Sequence, residues 1–404
     1  MTSECSLKRI KPYPYILIHG LAQFGTDPGE NAIFTYWGFG SGNIVDELRR
    51  EGVEVYAPTV ESNGGNWHRA CVLYAQLTGT RVDYGAAHSE KYGHDRYGDT
   101  YEKPLVEDWS SINRINLIGH SMGGPTAYTL ASLMAFGNEE ERAATGEDTS
   151  PLFKGGKEDW IFSVTALQSP LNGTTFFNVI AGKDAAALFN KVLPYVSQVL
   201  GSVLGKKNTA GDILARLGIK IDTFDMIKMF SEKTKTRSGE KDNGIYDCTI
   251  TGSKELNAML NTAPNVYYFS YPVDGTAEKY IFSFSFPFFK KRQVSTEDMK
   301  FFILRPVADA MGSYNKSPDS ETPLGAEWLP NDGMVNTVSA GYPFGQPNKD
   351  FDEKDIRPGI WNVTSTRRGD HAMLIGGCQS MEWTRNFYME QINRINELQS
   401  GNHE

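Results

Sequence analysis

The stretch that decides the fold is INLIGHSMGGPTAYTLASLM, residues 115–134. An apolar run ends at Ile118, the chain turns through Gly119-His120-Ser121-Met122-Gly123, and a helix-like pattern begins at once. A short continuous apolar run suits a strand buried on both faces of a parallel sheet. Two readings of a lone serine between glycines are open. Glycines are what any tight strand-to-helix turn needs. The same turn also pushes the Ser121 hydroxyl outward, clear of its own backbone.

Working outward, YPYILIHG (13–20), VEVYAP (53–58) and IFSVTALQSP (161–170) read as further strands. Between them, SGNIVDELRREG (41–52) predicts a helix with Ser41 as N-cap, Ile44, Val45 and Leu48 on one face, and Gly52 as the stop. NWHRACVLYAQLTG (66–79) and PTAYTLASLMAFG (125–137) predict two more helices, the second tolerating Pro125 in its first turn. This alternation predicts an α/β chain, residues 1–404 as one domain, with a mostly parallel central sheet flanked by helices. Two stretches break the pattern. Residues 79–104 lack apolar periodicity and read as a long loop that needs its own stabiliser or a function. Residues 176–204 are apolar throughout and interrupted by Pro194, which suits either core or a movable cover over an apolar cleft.

At 404 residues, 40% hydrophobic and 22% charged, the chain can bury a large core. A net charge of -9, with basic residues confined to short tracts such as FFKKRQ (288–293) and KTKTRSGEK (233–241), excludes nucleic acid as a partner. No apolar run reaches bilayer length, and MTSECSLKRIKPYPY shows no signal-peptide pattern. Cys5, Cys71, Cys248 and Cys378 have no CxxC spacing and read as small apolar core residues, although an even count permits disulfides.

A buried strand before GxSxG and a helix directly after it are what the nucleophile elbow of an α/β-hydrolase requires. In that reading the backbone N–H groups of Met122 and Leu21 are the oxyanion donors. The base follows by elimination among seven histidines. His19 belongs to the first strand's turn, His120 to the elbow and His403 to the tail. His68, His88 and His94 precede the serine, whereas this fold orders its triad Ser, acid, His. His371, in RRGDHAMLIG, remains. The acid must fall between them; Asp332, on the turn WLPNDGMVN, is preferred over Asp309, Asp319 and Glu321, which read as solvated loop. Separately, His88 and His94 sit six residues apart in AAHSEKYGHDRYG, with His68 upstream. Three imidazoles and one carboxylate would suit a structural zinc site. Spacing names no carboxylate, and surface histidines in a polar loop are the other reading.

Several segments together carry a family resemblance: ILIHGL, YWGFGSGNIVDEL, NWHRACVLYAQLTGTRVDYGAAHSEKYGHDRYGDTY, GHSMGGPTA, SPLFKGGKEDWIFSVTALQSPLNGTT and LPNDGMVNT. They resemble the zinc-containing thermoalkalophilic bacterial lipases and their staphylococcal relatives, from about residue 13 to beyond 371. The resemblance implies an α/β-hydrolase fold with a zinc-binding insertion (61–105 with 205–255) and a helical lid (176–230). It implies Ser121, Asp332 and His371 as the triad, with Leu21 and Met122 as oxyanion donors. It puts structural zinc on His88, His94 and Asp242, with Asp247 as runner-up carboxylate. His68 stands where the family has an aspartate ligand, so three histidines and one aspartate are expected. The family also binds calcium through acidic residues after the catalytic histidine; here HAMLIGGCQS offers Met373, Cys378 and Gln379, which leaves calcium in doubt. The activity implied is hydrolysis of apolar acyl esters, a lipid or a polyester surface being the partner, by a secreted enzyme of undetermined oligomeric state. Two competing expectations are a zinc metallohydrolase with an incidental serine and a non-catalytic lipid-binding protein.

Overall fold

The computed structural model describes residues 11–21, 35–180, 241–282, 289–317 and 323–401. Within these, the chain runs β1 (Tyr15–Ile18), α1 (Ile44–Arg50), β2 (Val55–Tyr56), α2 (Asn66–Thr78), β3 (Arg81–Asp83), α3 (Ala86–Tyr92), β4 (Tyr97–Thr100) and β5 (Ile115–His120). Next come α4 (Gly123–Phe136), α5 (Glu139–Thr145), α6 (Pro151–Lys154), β6 (Ile161–Leu167) and α7 (Phe176–Ile180). Beyond residue 240 follow α8 (Gly244–Asp247), α9 (Ile250–Asn257), β7 (Tyr267–Tyr271), β8 (Val273–Asp274), β9 (Thr276–Phe282), β10 (Phe289–Ser295) and α10 (Arg305–Met311). The last elements are β11 (Asn348–Asp350), β12 (Trp361–Val363), β13 (Arg367–Arg368) and α11 (Met381–Gly401).

Seven strands form one sheet in the order β11-β12-β7-β6-β5-β1-β2, and all its pairings are parallel. The strands are apolar on both faces because both faces are covered. Along β1 the period-two alternation sends Ile16 and Ile18 into a core with Trp67, Leu73, Leu130 and Trp361. Tyr15 and Leu17 point the other way, into a core with Ile44, Leu48, Phe387 and Tyr388. Each fully buried aliphatic side chain contributes about 1.5–3 kcal/mol. Strand order reverses between β1 and β5, since β1 leads to β2 on one side while β5 lies on the other. The carboxyl ends of strands at such a switch point form a crevice suited to ligands. In this chain those ends carry residues 19–21 and 119–121.

Three local expectations are corrected. The N-cap of α1 is Asn43, whose side chain accepts from Val45 N and Asp46 N; Ser41 instead turns back to the Gly38 carbonyl. Residues 79–104 are no irregular loop: β3 and β4 pair antiparallel around α3. Asp309 lies within α10 rather than in a loop, its carboxylate accepting from Ser295 N. The acids Asp319 and Glu321 and the histidine His403 lie outside the described residues. So does most of the 176–230 lid region, only Phe176–Ile180 being described, as α7. Cys71 and Cys248 are buried free thiols as expected, whereas Cys378 is exposed and Cys5 is not described. No described helix is long and apolar enough to cross a membrane.

Candidate active site and metal cluster

The turn after β5 is held open by atoms that leave no room for side chains. A Cβ at Gly119 would lie 2.2 Å from the Gly123 carbonyl carbon, and one at Gly123 would lie 2.0 Å from the Ile18 carbonyl oxygen. The β5–α4 crossing therefore packs backbone on backbone, against the end of β1. Ser121 pays for this with a left-handed φ of +54°, a conformation that non-glycine residues adopt rarely and that concentrates at functional sites. Its N–H donates to the Leu167 carbonyl at 2.9 Å. The N–H groups of Leu21 and Met122 have no hydrogen-bond partner among the described residues. Two free backbone donors beside an outward hydroxyl can hold a developing oxyanion.

His371 and Asp332 meet. The His371 Nδ1–H donates to Asp332 Oδ2 at 2.8 Å, and the His371 backbone N–H donates to the Asp332 carbonyl at 2.9 Å. Asp332 is 1% exposed. Its Oδ1 accepts from Met334 N (3.0 Å) and Val335 N (2.8 Å), while Gln168 Nε2 donates to Oδ2 at 3.1 Å. Four donors on one buried carboxylate fix its orientation.

The imidazole lies against the elbow, its ring centroid 4.8 Å from that of His120. No hydrogen bond joins it to Ser121 Oγ among the described residues, and such bonds commonly tighten only once substrate is bound. His120 connects the parts. Its Nε2–H donates to the His371 carbonyl at 2.9 Å, and its Nδ1 accepts from the Tyr36 hydroxyl at 2.5 Å. The same hydroxyl accepts the Gly20 N–H at 2.9 Å. Burial, with His371 beside it, holds His120 well below the ordinary imidazole range, so it stays neutral in this chain of bonds.

The β1 turn rests on a buried arginine. Arg69 is fully buried and donates to the carbonyls of His19, Gly20 (3.4 Å) and Glu61 (3.0 Å) and to Thr126 Oγ1 (2.9 Å). Burial lowers its pKa to about 10. His19 is kept neutral by burial first and by the Arg69 charge second, its pKa lowered to about 3.

The second cluster joins residues far apart in sequence. One ligand atom from each of His68, His88, His94 and Asp242 lies within 4.8 Å of the others. Asp242 Oδ2 is 2.9 Å from His68 Nε2 and 3.2 Å from His94 Nε2, and its Oδ1 is 3.1 Å from His88 Nε2. Two of the rings are fixed from behind: His94 Nδ1 donates to the Asp95 carbonyl at 2.8 Å, and His68 Nδ1 lies 3.3 Å from Glu61 Oε2. This arrangement turns the Nε2 atoms inward, toward Asp242, the orientation that ligating histidines require. Burial pulls the His68 pKa down, but hydrogen bonds donated to Asp242 and Glu61 outweigh it and raise it to about 9. The group can bind a metal ion. Asp247 is not in it; its carboxylate accepts the Asn66 N–H at 2.5 Å, and burial raises its pKa to about 7.

The two sites touch. A Cβ at Gly244, two residues past Asp242, would lie 2.5 Å from Leu21 Cδ1 and 3.0 Å from Met122 Cε.

Gln168, Tyr36, Glu61 and Arg69 were not singled out by sequence reasoning. The available signal was positional: Gln168 is a polar residue just past a buried strand, and Arg69 a charge on an otherwise apolar helix face.

The family described as "Lipase-like, C-terminal domain" matches residues 11–396. Lipase 1 of Staphylococcus aureus (strain N315) is 35% identical over 372 residues, covering 90% of this chain and 50% of its own. The lipase of Staphylococcus epidermidis is 32% identical over 370 residues, with the same coverage of 90% and 50%. The chain thus spans about half the length of the curated relatives it matches. Among solved structures, EstA from Clostridium botulinum aligns with a TM-score of 0.75 at 30% identity, covering 96% of this chain and 87% of its own. Staphylococcus hyicus lipase aligns with a TM-score of 0.75 at 29% identity, covering 98% and 99%.

Proposed function

The chain belongs to the lipase-like family, and from that premise we propose that it is a serine carboxylic-ester hydrolase cleaving apolar acyl esters. The observation that carries this reading is the His371–Asp332 pair at 2.8 Å, lying against the strained elbow of Ser121. Ser121 Oγ attacks the ester carbonyl carbon while His371 Nε2 takes its proton. Asp332 accepts from Nδ1–H, which keeps the lone pair on Nε2, and it stabilises the imidazolium that forms. The N–H groups of Leu21 and Met122 receive the tetrahedral oxyanion. Collapse expels the alcohol, which takes the proton back from His371. Water activated by the same imidazole then hydrolyses the acyl-enzyme.

The test compares wild type with Ser121→Ala on soluble esters of graded acyl length, and on an emulsified triglyceride beside a polyester film. Turnover by wild type alone supports the proposal; equal turnover by both proteins overturns it. Preference for triglyceride or film then assigns lipase or polyesterase action. We also place the enzyme outside the cell, a reading supported only by family resemblance; recovery of activity from cell lysate and not from culture medium would contradict it.

We read the cluster of His68, His88, His94 and Asp242 as a structural zinc site. Three imidazoles and one carboxylate match zinc's ligand preference and fill a tetrahedron, leaving no open position for catalysis. This favours the serine mechanism over a metallohydrolase. Zinc here would tie α2, α3 and the segment entering α8 together. Glu61→Gln is expected to weaken zinc binding by about 10- to 100-fold, because its carboxylate orients His68 from behind. Competition with a chromogenic chelator measures this directly, and unchanged affinity would remove Glu61 from the site.

A further inference from the structure

Gln168 is a fully buried residue directly after β6, and its backbone has a left-handed φ of +49°. Glycine adopts that conformation freely; other residues adopt it rarely. A glutamine kept there must be used through its side chain, and every polar atom of that side chain is engaged at the candidate active site. Nε2 donates to Asp332 Oδ2 at 3.1 Å and to the Asp370 carbonyl at 2.8 Å, and Oε1 accepts the Leu374 N–H at 3.2 Å. The amide therefore grips the chain on both sides of His371 and also donates to the same carboxylate oxygen that receives the His371 Nδ1–H. The three partners are two acceptors and one donor, which a carboxamide alone among side chains of this size can match.

We infer that Gln168 is a positioning residue for the acid–base pair, setting the distance and angle between Asp332 and the His371 loop. This rests on the triad reading above. With the amide gone, Asp332 keeps its contacts to Met334 N and Val335 N, so the carboxylate stays in place. The His371 loop, in contrast, loses a clamp at residues 370 and 374. Asp370 has other ties, to Phe301 N and Ala372 N, so the loop persists but its imidazole is less well fixed.

Gln168→Gly is the informative variant, because it relaxes the backbone while deleting the amide. We expect kcat on a soluble ester to fall about 10- to 100-fold, the scale of a misplacement near 1 Å, with KM within twofold of wild type and the melting transition retained. Gln168→Asn also tolerates the backbone angle and is too short to reach Asp332; it is expected to show the same kcat loss should the glycine variant not accumulate. Gln168→Glu keeps the shape but sets a second negative charge beside Asp332. It is expected to move the acidic limb of the kcat/KM–pH profile upward by about one unit, because that charge stabilises the imidazolium. A merely structural role would instead leave kcat within twofold of wild type in the folded glycine and asparagine variants.

Fluorophosphonate labelling separates the two layers. If wild type is labelled at Ser121 and Ser121→Ala is inactive, yet the folded glycine or asparagine variant turns over within twofold of wild type, the inference about Gln168 fails and the triad stands. If Ser121→Ala retains full turnover, the triad reading fails and the inference falls with it.

Discussion

Asp332→Asn is expected to lower kcat by about 10⁴-fold, the scale on which a serine triad loses activity when its histidine is held in the wrong tautomer. The hydrogen bonds around Asp332 dictate the outcome. Met334 N and Val335 N both donate to Oδ1, so an asparagine places its carbonyl oxygen there. Its NH2 then falls at the Oδ2 position, facing the donor nitrogens of His371 and Gln168. His371 can relieve that clash only by moving its proton from Nδ1 to Nε2. An imidazole with Nε2 protonated cannot take the Ser121 proton. The measurement is kcat on a soluble ester, with near-ultraviolet circular dichroism to verify the fold. A loss smaller than about tenfold would mean that Asp332 does not set the tautomer.

Removing bound metal is expected to act on stability first and on activity second. If zinc occupies the His68–His88–His94–Asp242 group at a thousandfold excess over Kd, binding stabilises the folded chain by about 4 kcal/mol. Chelation should then lower the melting temperature by several degrees. Activity should decline with the loosening of the segment through Gly244, which lies against Leu21 and Met122, and should return when zinc is restored. Calorimetry and an ester assay followed in parallel read the two effects. Immediate loss of turnover with no change in melting would instead assign the metal to the chemistry.

The parts of this molecule that were legible in the sequence are those encoded by neighbours. The apolar runs of β1, β5 and β6 carry enough local signal to announce a sheet buried on both faces. Chain order, together with the places of His19, His120 and His403, left His371 as the candidate base, and the turn around Asp332 pointed to the candidate acid that the structure brings beside it. The departure at His68 was also readable, since the structure brings it to His88, His94 and Asp242.

What was not legible depends on partners distant along the chain. Gln168 reaches Asp332 and Leu374 across 164 and 206 residues, and its place just past a buried strand does not say what it holds. Arg69 sits within an apolar helix and gathers carbonyls from residues 50 and 49 positions away. Residues 79–104 showed no apolar periodicity because their ordered pieces are short, and the stretch is held through non-local contacts. Tyr84 N donates to the Arg96 carbonyl at 2.8 Å, and Glu141 accepts from Ala87 N and His88 N at the start of α3. Ser41 was preferred as a cap by residue type, but Asn43 is the residue placed where α1 begins.

The central claim is that Ser121 Oγ is the nucleophile and His371 its base. Intact-protein mass spectrometry after exposure to a fluorophosphonate, followed by peptide mapping, tests it most directly. One adduct on the Ser121 peptide, absent in Ser121→Ala and strongly slowed in His371→Ala, is the predicted result. An adduct on another residue, or unchanged labelling in Ser121→Ala, would contradict the account.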